Sequence, residues 1–475
     1  MTGGFELRGK RVLVIGLART GIATARFCAE HGATVTAMDA HQESELGAEV
    51  LSLREEGVKL DLGSHPETSL LNQDLVIPSP GVPADALVLQ AARAKNITVW
   101  SEIELADRFL DGRLIGITGS NGKTTTTSLV YHILKVAGFS TMVAGNIGTP
   151  LISRVAFTTE TTITVAELSS FQLELVETFH PDIAVLLNLT PDHLDRHKTI
   201  DAYAAAKARI FENQTESDFA VLNADDPASA RFAPKRAQVY WFSRKQAVQQ
   251  GAYLRGEEIV FRSKKQEEVL LQREEIPLPG AHNLENVLAA ATAARLEGAS
   301  AAAIADAVRT FPGVEHRLEF VAEMAGVRFY NDSKATNVDA TLKALEAFPG
   351  KILVILGGKD KGSDYSVLQP ALRERSVLAL LIGAAAEKIE QQISGSVAIE
   401  RAGTLERAVE IASQSARRGD VVLLAPACAS FDQFENYEQR GRVFKELVRK
   451  REQQAAAASA APQNNGKVNN HGQTA

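Results

Sequence analysis

The sequence predicts an α/β protein with mainly parallel sheets, folded as three domains. Three observations lead there. Short apolar runs of strand length alternate with segments of helical period along most of the chain. Those runs end repeatedly in Gly-rich or polar loops, the layout of strand–loop–helix units in doubly wound sheets. The 475 residues also exceed what one ordinary domain holds.

A hydrophobic fraction of 45% with 23% charged residues supplies ample core. The formal charge of −7 at pH 7 speaks against a nucleic-acid partner. No run is long and apolar enough to span a bilayer, and the apolar stretch at 12–15 is too short for a signal peptide. A cytoplasmic protein with no membrane partner is therefore expected. Cys28 and Cys428, far apart and set among small or apolar residues, read as reduced thiols rather than a disulfide.

The first domain, residues 1–103, opens with a strand over 11–15, the turn Gly16-Leu17-Ala18-Arg19-Thr20-Gly21 and a helix through Phe27. A second strand, 33–38, ends in Asp39. This is the layout of a dinucleotide-binding βαβ unit, but Ala18 replaces the middle glycine of G-x-G-x-x-G and hinders close approach of a pyrophosphate. A tight turn in a doubly wound sheet accounts for these residues equally well. At 74–83 a strand runs into the stiff loop Pro78-Ser79-Pro80-Gly81-Val82-Pro83, at the sheet edge where such folds bind ligands. A last strand at 97–100 and a helix over 102–110 lead to the next domain.

The central domain, 104–312, begins with the strongest motif of the chain. A buried strand at 114–117 enters Thr118-Gly119-Ser120-Asn121-Gly122-Lys123-Thr124-Thr125, and a helix follows with Leu129, Val130, Ile133 and Leu134 on one face and Gly138 at its end. A strand, a Gly-rich turn and a helix opening on Lys-Thr make an anion cradle: Lys123 brings a full charge and the Thr124 hydroxyl can hold Mg²⁺. The glycine spacing departs from G-x-x-x-x-G-K-[ST], since the first glycine position falls on Ile117 and the glycine sits at Gly119. ATP binding is the expectation.

A strand at 141–144 ends in Gly145-Asn146-Ile147-Gly148, and another at 162–166 delivers Glu167. A third, 183–189, is continuously apolar and so central in a parallel sheet; it delivers Asp192 and His193. Lys123, Thr124, Glu167 and His193 thus lie at or just past strand carboxyl ends, which share one edge of an open sheet. Carboxylate and imidazole suit a divalent metal, although His193 among aspartates also fits a solvated turn. Lys207 lies on a helix over 200–211, and its spacing does not exclude an ordinary helix-surface lysine. Asn283 and Asn286 share one face of an Ala-rich helix, where amides can read a base edge, while helix capping explains Asn283 equally well.

The third domain, 313–454, repeats the alternation, with strands at 327–330, 352–356, 377–382 and 421–424. The loops after them place Lys334, Thr336, Lys361 and Ser430 on one sheet edge, where cations and hydroxyls suit a small acidic ligand. Residues 455–475, rich in Ala, Asn and Gln, are expected to be disordered.

Read together, T-G-S-N-G-K-T at 118–124 and N-x-x-x-D-H-L-D at 188–195 resemble the Mur ligase family of bacterial cell-wall enzymes. The likeness runs from residue 5 to about 452. The narrower signatures N-D-S-K-A-T-N at 331–337 and A-C-A-S-F-D-Q-F at 427–434 resemble members that add D-glutamate to UDP-N-acetylmuramoyl-L-alanine. The resemblance implies a UDP-binding Rossmann-like domain, a central ATPase domain with a phosphate loop, and a second Rossmann-like domain that takes the amino acid, in a monomer.

It further implies that the loop Gly119–Thr125, with Lys123 and Thr124, holds the ATP phosphates and one Mg²⁺, and that Glu167 and His193 serve a second Mg²⁺. Lys207 would be carbamylated and so become an anionic metal ligand. Asn283 and Asn286 would meet the adenine end, and His316, Arg317 and Asp332 would lie around ATP. Asn146 would meet the sugar-peptide substrate, while Arg19, Thr20, Asp39, His41, Ser79, Pro80 and Gly81 match the uridine-diphosphate site. Lys334, Thr336, Lys361, Ser430 and the Tyr437 backbone would surround D-glutamate. The implied reaction passes through an acyl phosphate, with Lys123, Glu167, His193 and Lys207 as its catalytic set; His193 is also a candidate base for the incoming amine.

Overall fold

The computed structural model describes residues 5–63, 70, 72–264 and 266–460. They form two compact units, drawn from Met1–Pro277 with His282–Phe311 and from Leu278–Ala281 with Pro312–Ala475. The fold is α/β with mostly parallel sheets.

The first unit carries two sheets. One comprises β1 (Arg11–Ile15), β2 (Thr34–Asp39), β3 (Lys59–Leu62), β4 (Leu75–Pro78) and β5 (Thr98–Val99), all parallel in the order β3-β2-β1-β4-β5. The order reverses between β1 and β4, so the loops after these two strands lie side by side, at the crevice where open sheets take ligands.

The other sheet has nine strands: β6 (Arg113–Thr118), β7 (Thr141–Gly145), β8 (Ile163–Glu167), β9 (Ile183–Leu186), β10 (Phe219–Asn223), β11 (Gln238–Ser243), β12 (Gly251–Arg255), β13 (Glu258–Ser263) and β14 (Gln266–Gln272). Their order is β14-β13-β12-β11-β10-β9-β6-β8-β7. Pairing is parallel from β7 across to β12 and antiparallel for the last two, which leaves β14 outermost. β6 sits between β9 and β8.

Residues 212–279, unassigned from sequence, hold the five strands β10 to β14. Their signal is a two-residue turn, Gly256-Glu257, between the apolar runs Ala252-Tyr253-Leu254 and Ile259-Val260-Phe261. The expected strand over 183–189 ends at Leu186, because the chain leaves the sheet to wrap the phosphate loop. The first helix extends past Phe27 to Glu30, and the helix expected over 102–110 stops at Asp107. One hydrophobic core runs through both sheets, from Val12 and Val14 through Trp100 and Ile103 to Ala166 and Leu186.

The second unit is built on β15 (Glu319–Met324), β16 (Val327–Asn331), β17 (Ile352–Gly357), β18 (Ser376–Ile382), β19 (Ala398–Gly403) and β20 (Val421–Leu424), in the order β15-β16-β20-β17-β18-β19. Only β15 is antiparallel to its neighbour. Apolar residues cover both faces, with Leu345, Leu356 and Leu423 in one cluster and Phe329, Leu353 and Phe444 in the other. β15 and β19 escape the sequence pattern because both are partly exposed edge strands with interrupted apolar runs. The helix Tyr437–Ala460 corrects the expectation that order ends at residue 454; a run of alanines continues a helix readily. Residues 461–475 lie outside the described residues. Among the described residues no helix is long and apolar enough to cross a membrane.

Glu102, at the start of the helix Glu102–Asp107, is wholly buried. Its Oε1 accepts from the Ile152 N–H at 2.7 Å, Oε2 has no partner among the described residues, and burial pushes its pKa up to about 7. Asp107 is likewise pushed up to about 7, by burial and then by the charge of Glu104. The unfolded carboxyls titrate near ~4. Between ~4 and ~7 the folded chain therefore holds protons that the unfolded chain has lost, and this contribution to stability disappears as pH rises through that window. Glu102→Gln removes one of the two ionisations. Its melting temperature relative to the parent should rise between about pH 5 and about pH 8; parallel melting profiles would refute the assignment.

Candidate active site

The phosphate loop is shaped by two glycines. Gly119 has φ +151° and Gly122 has φ +85°, and a Cβ on Gly122 would stand 2.2 Å from Asn286 Oδ1. Neither position accepts a side chain without strain. The helix Lys123–Val136 follows at once, so its N-terminal end faces the loop, an arrangement that attracts phosphate. Lys123 Nζ folds back over the loop and donates to Gly119 O at 2.7 Å and Ser120 O at 2.9 Å.

The loop is clamped to the segment after β9. Ser120 N donates to Asn188 O at 3.0 Å, and Asn121 N to Asn188 Oδ1 at 2.9 Å. Ser120 Oγ donates to Thr190 O and accepts from Thr190 N and from the Tyr203 hydroxyl at 3.0 Å. These side chains and amides therefore hold the cradle's shape, while the helix terminus with Lys123, Thr124 and Thr125 presents its charge. Asn286 Nδ2 donates to Asn283 Oδ1 at 3.1 Å, and its Oδ1 accepts from Thr126 Oγ1 at 3.3 Å. Both asparagines are buried, and Asn286 buttresses the loop in addition to the expected role toward a base.

Glu167 ends β8 beside β6 and is buried. Its Oε1 accepts from Asn146 Nδ2 at 2.9 Å, whereas Oε2 is buried with no hydrogen-bond partner among the described residues. An orphaned anionic oxygen at such a place fits a cation. His193 is half exposed, in a left-handed backbone conformation (φ +51°), with its ring centroid 4.9 Å from that of Phe171 in an edge-to-face arrangement. Among the described residues no three His, Cys, Asp or Glu side chains cluster with metal-binding geometry. The donor set fits Mg²⁺, which keeps waters and phosphate oxygens in its shell, better than a metal caged by protein alone.

For Lys207, whose surroundings the spacing left open, burial decides: the residue is 1% exposed. Nζ donates to Thr118 Oγ1 at 3.4 Å and lies 4.8 Å from the Tyr203 ring centroid. Burial, and then the charge of Lys123, hold its pKa well below the usual lysine range, against the opposing pull of Asp192 and Glu167. Its surroundings thus favour the neutral amine over the ammonium, the phosphate-loop lysine adding to the effect of burial.

At the first sheet, Asp39 Oδ2 accepts from Leu17 N at 2.7 Å, and Oδ1 from His41 N and Nδ1 at 3.0 and 2.7 Å. Ser79 Oγ donates to Gly16 O at 2.7 Å. Both residues therefore fix the turn 16–21, which carries Arg19 and Thr20. Two arginines tie these loops to the central sheet. Arg19 Nη1 reaches Gly148 O at 2.9 Å, next to Asn146. Arg196 Nη1 and Nη2 reach Pro80 O and Val82 O at 2.5 and 3.1 Å, and Nη2 also pairs with Glu174 at 2.8 Å. The Arg196 guanidinium lies 3.9 Å from the centroid of Phe171.

In the second unit the loops after β16, β20 and β17, adjacent strands, carry Lys334 and Thr336, Ser430, and Lys361. Lys334 N donates to His316 O, and Lys334 Nζ lies 5.4 Å from the Tyr437 ring centroid. Asp332 is buried and pushed up to about 7, burial outweighing the nearby Arg317; it accepts from Leu318 N at 3.3 Å. His316 is buried with φ +64°, its Nδ1 2.9 Å from Asn331 Nδ2, and burial lowers its pKa.

Three proteins named UDP-N-acetylmuramoylalanine–D-glutamate ligase match this chain along nearly its full length. Those of Koribacter versatilis, Acidobacterium capsulatum and Solibacter usitatus are 53%, 53% and 52% identical, over 94%, 93% and 93% of this chain and 99%, 97% and 98% of their own. The chain belongs to the Mur ligase family. Residues 10–101 match the MurD-like N-terminal domain of Mur ligases, 117–294 the Mur ligase middle domain and 316–428 the Mur ligase glutamate ligase domain.

Among solved structures, MurF ligase from Thermotoga maritima in complex with ADP has a TM-score of 0.58 at 18% identity, covering 94% of this chain and 96% of that one. UDP-N-acetylmuramate-alanine ligase MurC from the same organism has 0.56 at 20%, covering 93% and 100%. At those identities the shared property is the fold.

In this Mur ligase the sheet order brings the loops with Lys123, Glu167 and His193 onto neighbouring strands, as expected, and Lys207 comes beneath them. Asn188 stands in the quoted 188–195 motif without an assigned role, and Tyr203 and Arg196 were assigned none. Arg196 stands three residues after His193, inside the quoted motif's flank, yet its partners are backbone carbonyls that leave no trace in residue type. Arg196→Ala should speed amide hydrogen exchange at Ser79 and Val82 while leaving β10 unchanged, since each charge-assisted bond lost costs about 1.5–3 kcal/mol locally. Equal protection of the 79–82 loop in both proteins would show that Arg196 does not hold it.

Proposed function

We propose that this protein is the ATP-dependent ligase that joins D-glutamate to UDP-N-acetylmuramoyl-L-alanine, a step of peptidoglycan precursor synthesis. Identity above 50% across nearly the whole length of three ligases of that name carries the reading. The proposed division is 1–103 for the UDP-substrate, 104–312 for ATP and 313–454 for the amino acid, in a cytoplasmic monomer. The two buried free cysteines suit a reducing compartment.

A carboxylate is a poor electrophile, so the L-alanyl carboxylate first attacks the γ-phosphorus of ATP; ADP leaves and an acyl phosphate forms. Lys123 and the N-terminal end of its helix offset charge on the phosphates, and the loop held by Ser120 and Asn188 positions them. The D-glutamate amine then attacks the acyl carbon, phosphate departs and a proton is lost. His193, half exposed at the same edge, is our candidate to take it, in competition with its role at the metal. Asn146 orients Glu167 and faces the substrate side, and Arg19, Thr20, Asp39, His41 and the Ser79–Gly81 loop take the uridine diphosphate. Asn283, Asn286, His316, Arg317 and Asp332 serve ATP, and Lys334, Thr336, Lys361, Ser430 and the Tyr437 backbone serve D-glutamate.

Mg²⁺, when bound, draws charge from the phosphate oxygens; Thr124 would hold one ion, and Glu167, His193 and a carbamylated Lys207 a second. Two observations support the carbamate. The orphaned Glu167 oxygen fits a shared cation, and the surroundings of Lys207 favour the neutral amine, the form that adds CO₂ and releases a proton to give R–NH–COO⁻. This converts a buried would-be cation into an anion.

Phosphate release from ATP and UDP-N-acetylmuramoyl-L-alanine should occur with D-glutamate and not with L-glutamate, L-lysine or diaminopimelate. Release with another of these would keep the family and overturn the amino-acid assignment. The carbamate predicts a loss of activity on removal of bicarbonate that is restored on its return. Full activity in a folded Lys207→Ala protein would eliminate that role.

A further inference from the structure

Arg440, in the first turn of the helix Tyr437–Ala460, is completely buried. Its Nε donates to Ser333 Oγ at 2.9 Å, Nη2 to Ser333 O at 2.8 Å and Nη1 to Cys428 O at 3.2 Å. None of these acceptors is a carboxylate. Asp432 acts on the guanidinium through its field, with Oδ2 accepting from Ala384 N at 2.9 Å. Burial lowers the pKa of Arg440 only to about 10, so it remains a cation at neutral pH.

This is an unusual place for a charge. Buried guanidinium groups are ordinarily paired with an acid, and a cation in the first turn of a helix adds to the positive end of the helix dipole. Both sources of positive potential sit under two loops. Ser333 immediately precedes Lys334 and Thr336, and Cys428 lies two residues before Ser430. Ser333 Oγ also donates to Tyr437 O at 2.8 Å, closing the connection to the helix.

We propose that Arg440 is the positioning and specificity residue of the amino-acid site: it cross-links the 331–337 loop to the 427–434 loop and supplies the charge that makes the site select a dicarboxylate amine. The proposal rests on the reading above that these loops receive D-glutamate. No carboxylate accepts a hydrogen bond from Arg440 in the bonds above, and the ligand's second carboxylate adds to the field of Asp432 as its counter-charge. Arg440 acts through the two loops and its field without touching the ligand, which distinguishes it from Lys334 and Lys361.

The test is phosphate release by the full chain at saturating ATP and UDP-N-acetylmuramoyl-L-alanine, with D-glutamate varied and folding followed by thermal melting. Arg440→Met should raise the KM for D-glutamate about tenfold or more and leave the KM for ATP within about twofold. It should also narrow the preference for D-glutamate over D-glutamine, measured as competitive inhibition. Arg440→Lys keeps the charge without the fork and should fall between the parent and Arg440→Met. Where Arg440→Met fails to fold, Ser333→Ala, which removes one acceptor and retains the charge, should raise the KM for D-glutamate about threefold, with no change for ATP. An unchanged KM for D-glutamate in folded Arg440→Met, or in Ser333→Ala in its place, overturns the proposal. A parent protein that releases no phosphate with D-glutamate removes the underlying reading instead, before any variant is compared.

Discussion

The site of the first unit depends on where β6 lies. Parallel pairing sets Ile117 opposite Val185 on one side and Glu167 on the other, so the residue before the phosphate loop is level with the carboxylate and with the start of the β9 exit. A slip of one residue in either ladder would turn Glu167 to the opposite face of the sheet. Small residues permit this closeness: a Cβ on Gly116 would stand 3.0 Å from Leu168 Cδ1, and one on Gly119 2.9 Å from Leu187 Cβ. Asn188 then converts proximity of strands into a fixed loop, with three hydrogen bonds between its amide or carbonyl and residues 120 and 121. Everything else at the site, from the Lys123 ammonium to the buried Lys207 amine, is arranged around that clamp.

The features legible in sequence are those encoded by residue type at fixed spacing. Gly119, Gly122, Lys123 and Thr124 announce an anion cradle because only glycine tolerates the backbone and only lysine and threonine bring the charge and hydroxyl. Glu167 and His193 were reachable through topology, since strand ends of an open sheet share an edge. The environment of Lys207 stayed open in the sequence because a short Ala-rich helix has no polar face to show which side is buried; its spacing is compatible with either. Arg196 and Arg440 were invisible for a different reason. Their long side chains end on backbone carbonyls of residues 80, 82, 333 and 428, and any residue type offers a carbonyl. Of the strands in residues 219–272, only β14 lacks a legible apolar run, its first four residues being exposed; β10 to β13 carry buried apolar runs that the sequence reading left unassigned.

Several buried ionisable groups oppose stability and are kept at or beside the functional loops. Lys207 and Arg440 are buried in surroundings that disfavour their charged forms, and Asp332 is pushed to about 7 despite Arg317. Such groups persist when the surrounding structure over-determines them. Here the over-determination comes from the continuous core through β1, β4, β6, β8 and β9 in the first unit, and from the two-faced packing of the second sheet. The left-handed residues His316 and Leu318 flank Arg317 and fix its segment in a conformation that non-glycine residues seldom adopt.

The outermost position of β14 has a consequence for life at high concentration. An unpaired strand edge is a template on which another chain can add a strand, the first step of aggregation. The exposed half of β14 carries Glu267 and Glu268, engaged by Arg262 and Arg255 and by Arg295 respectively. A strand added there would have to lie along two carboxylates and their guanidinium partners, and removing those ion pairs from water is costly. The hairpin that lengthens the sheet thus also guards its outer edge with charge.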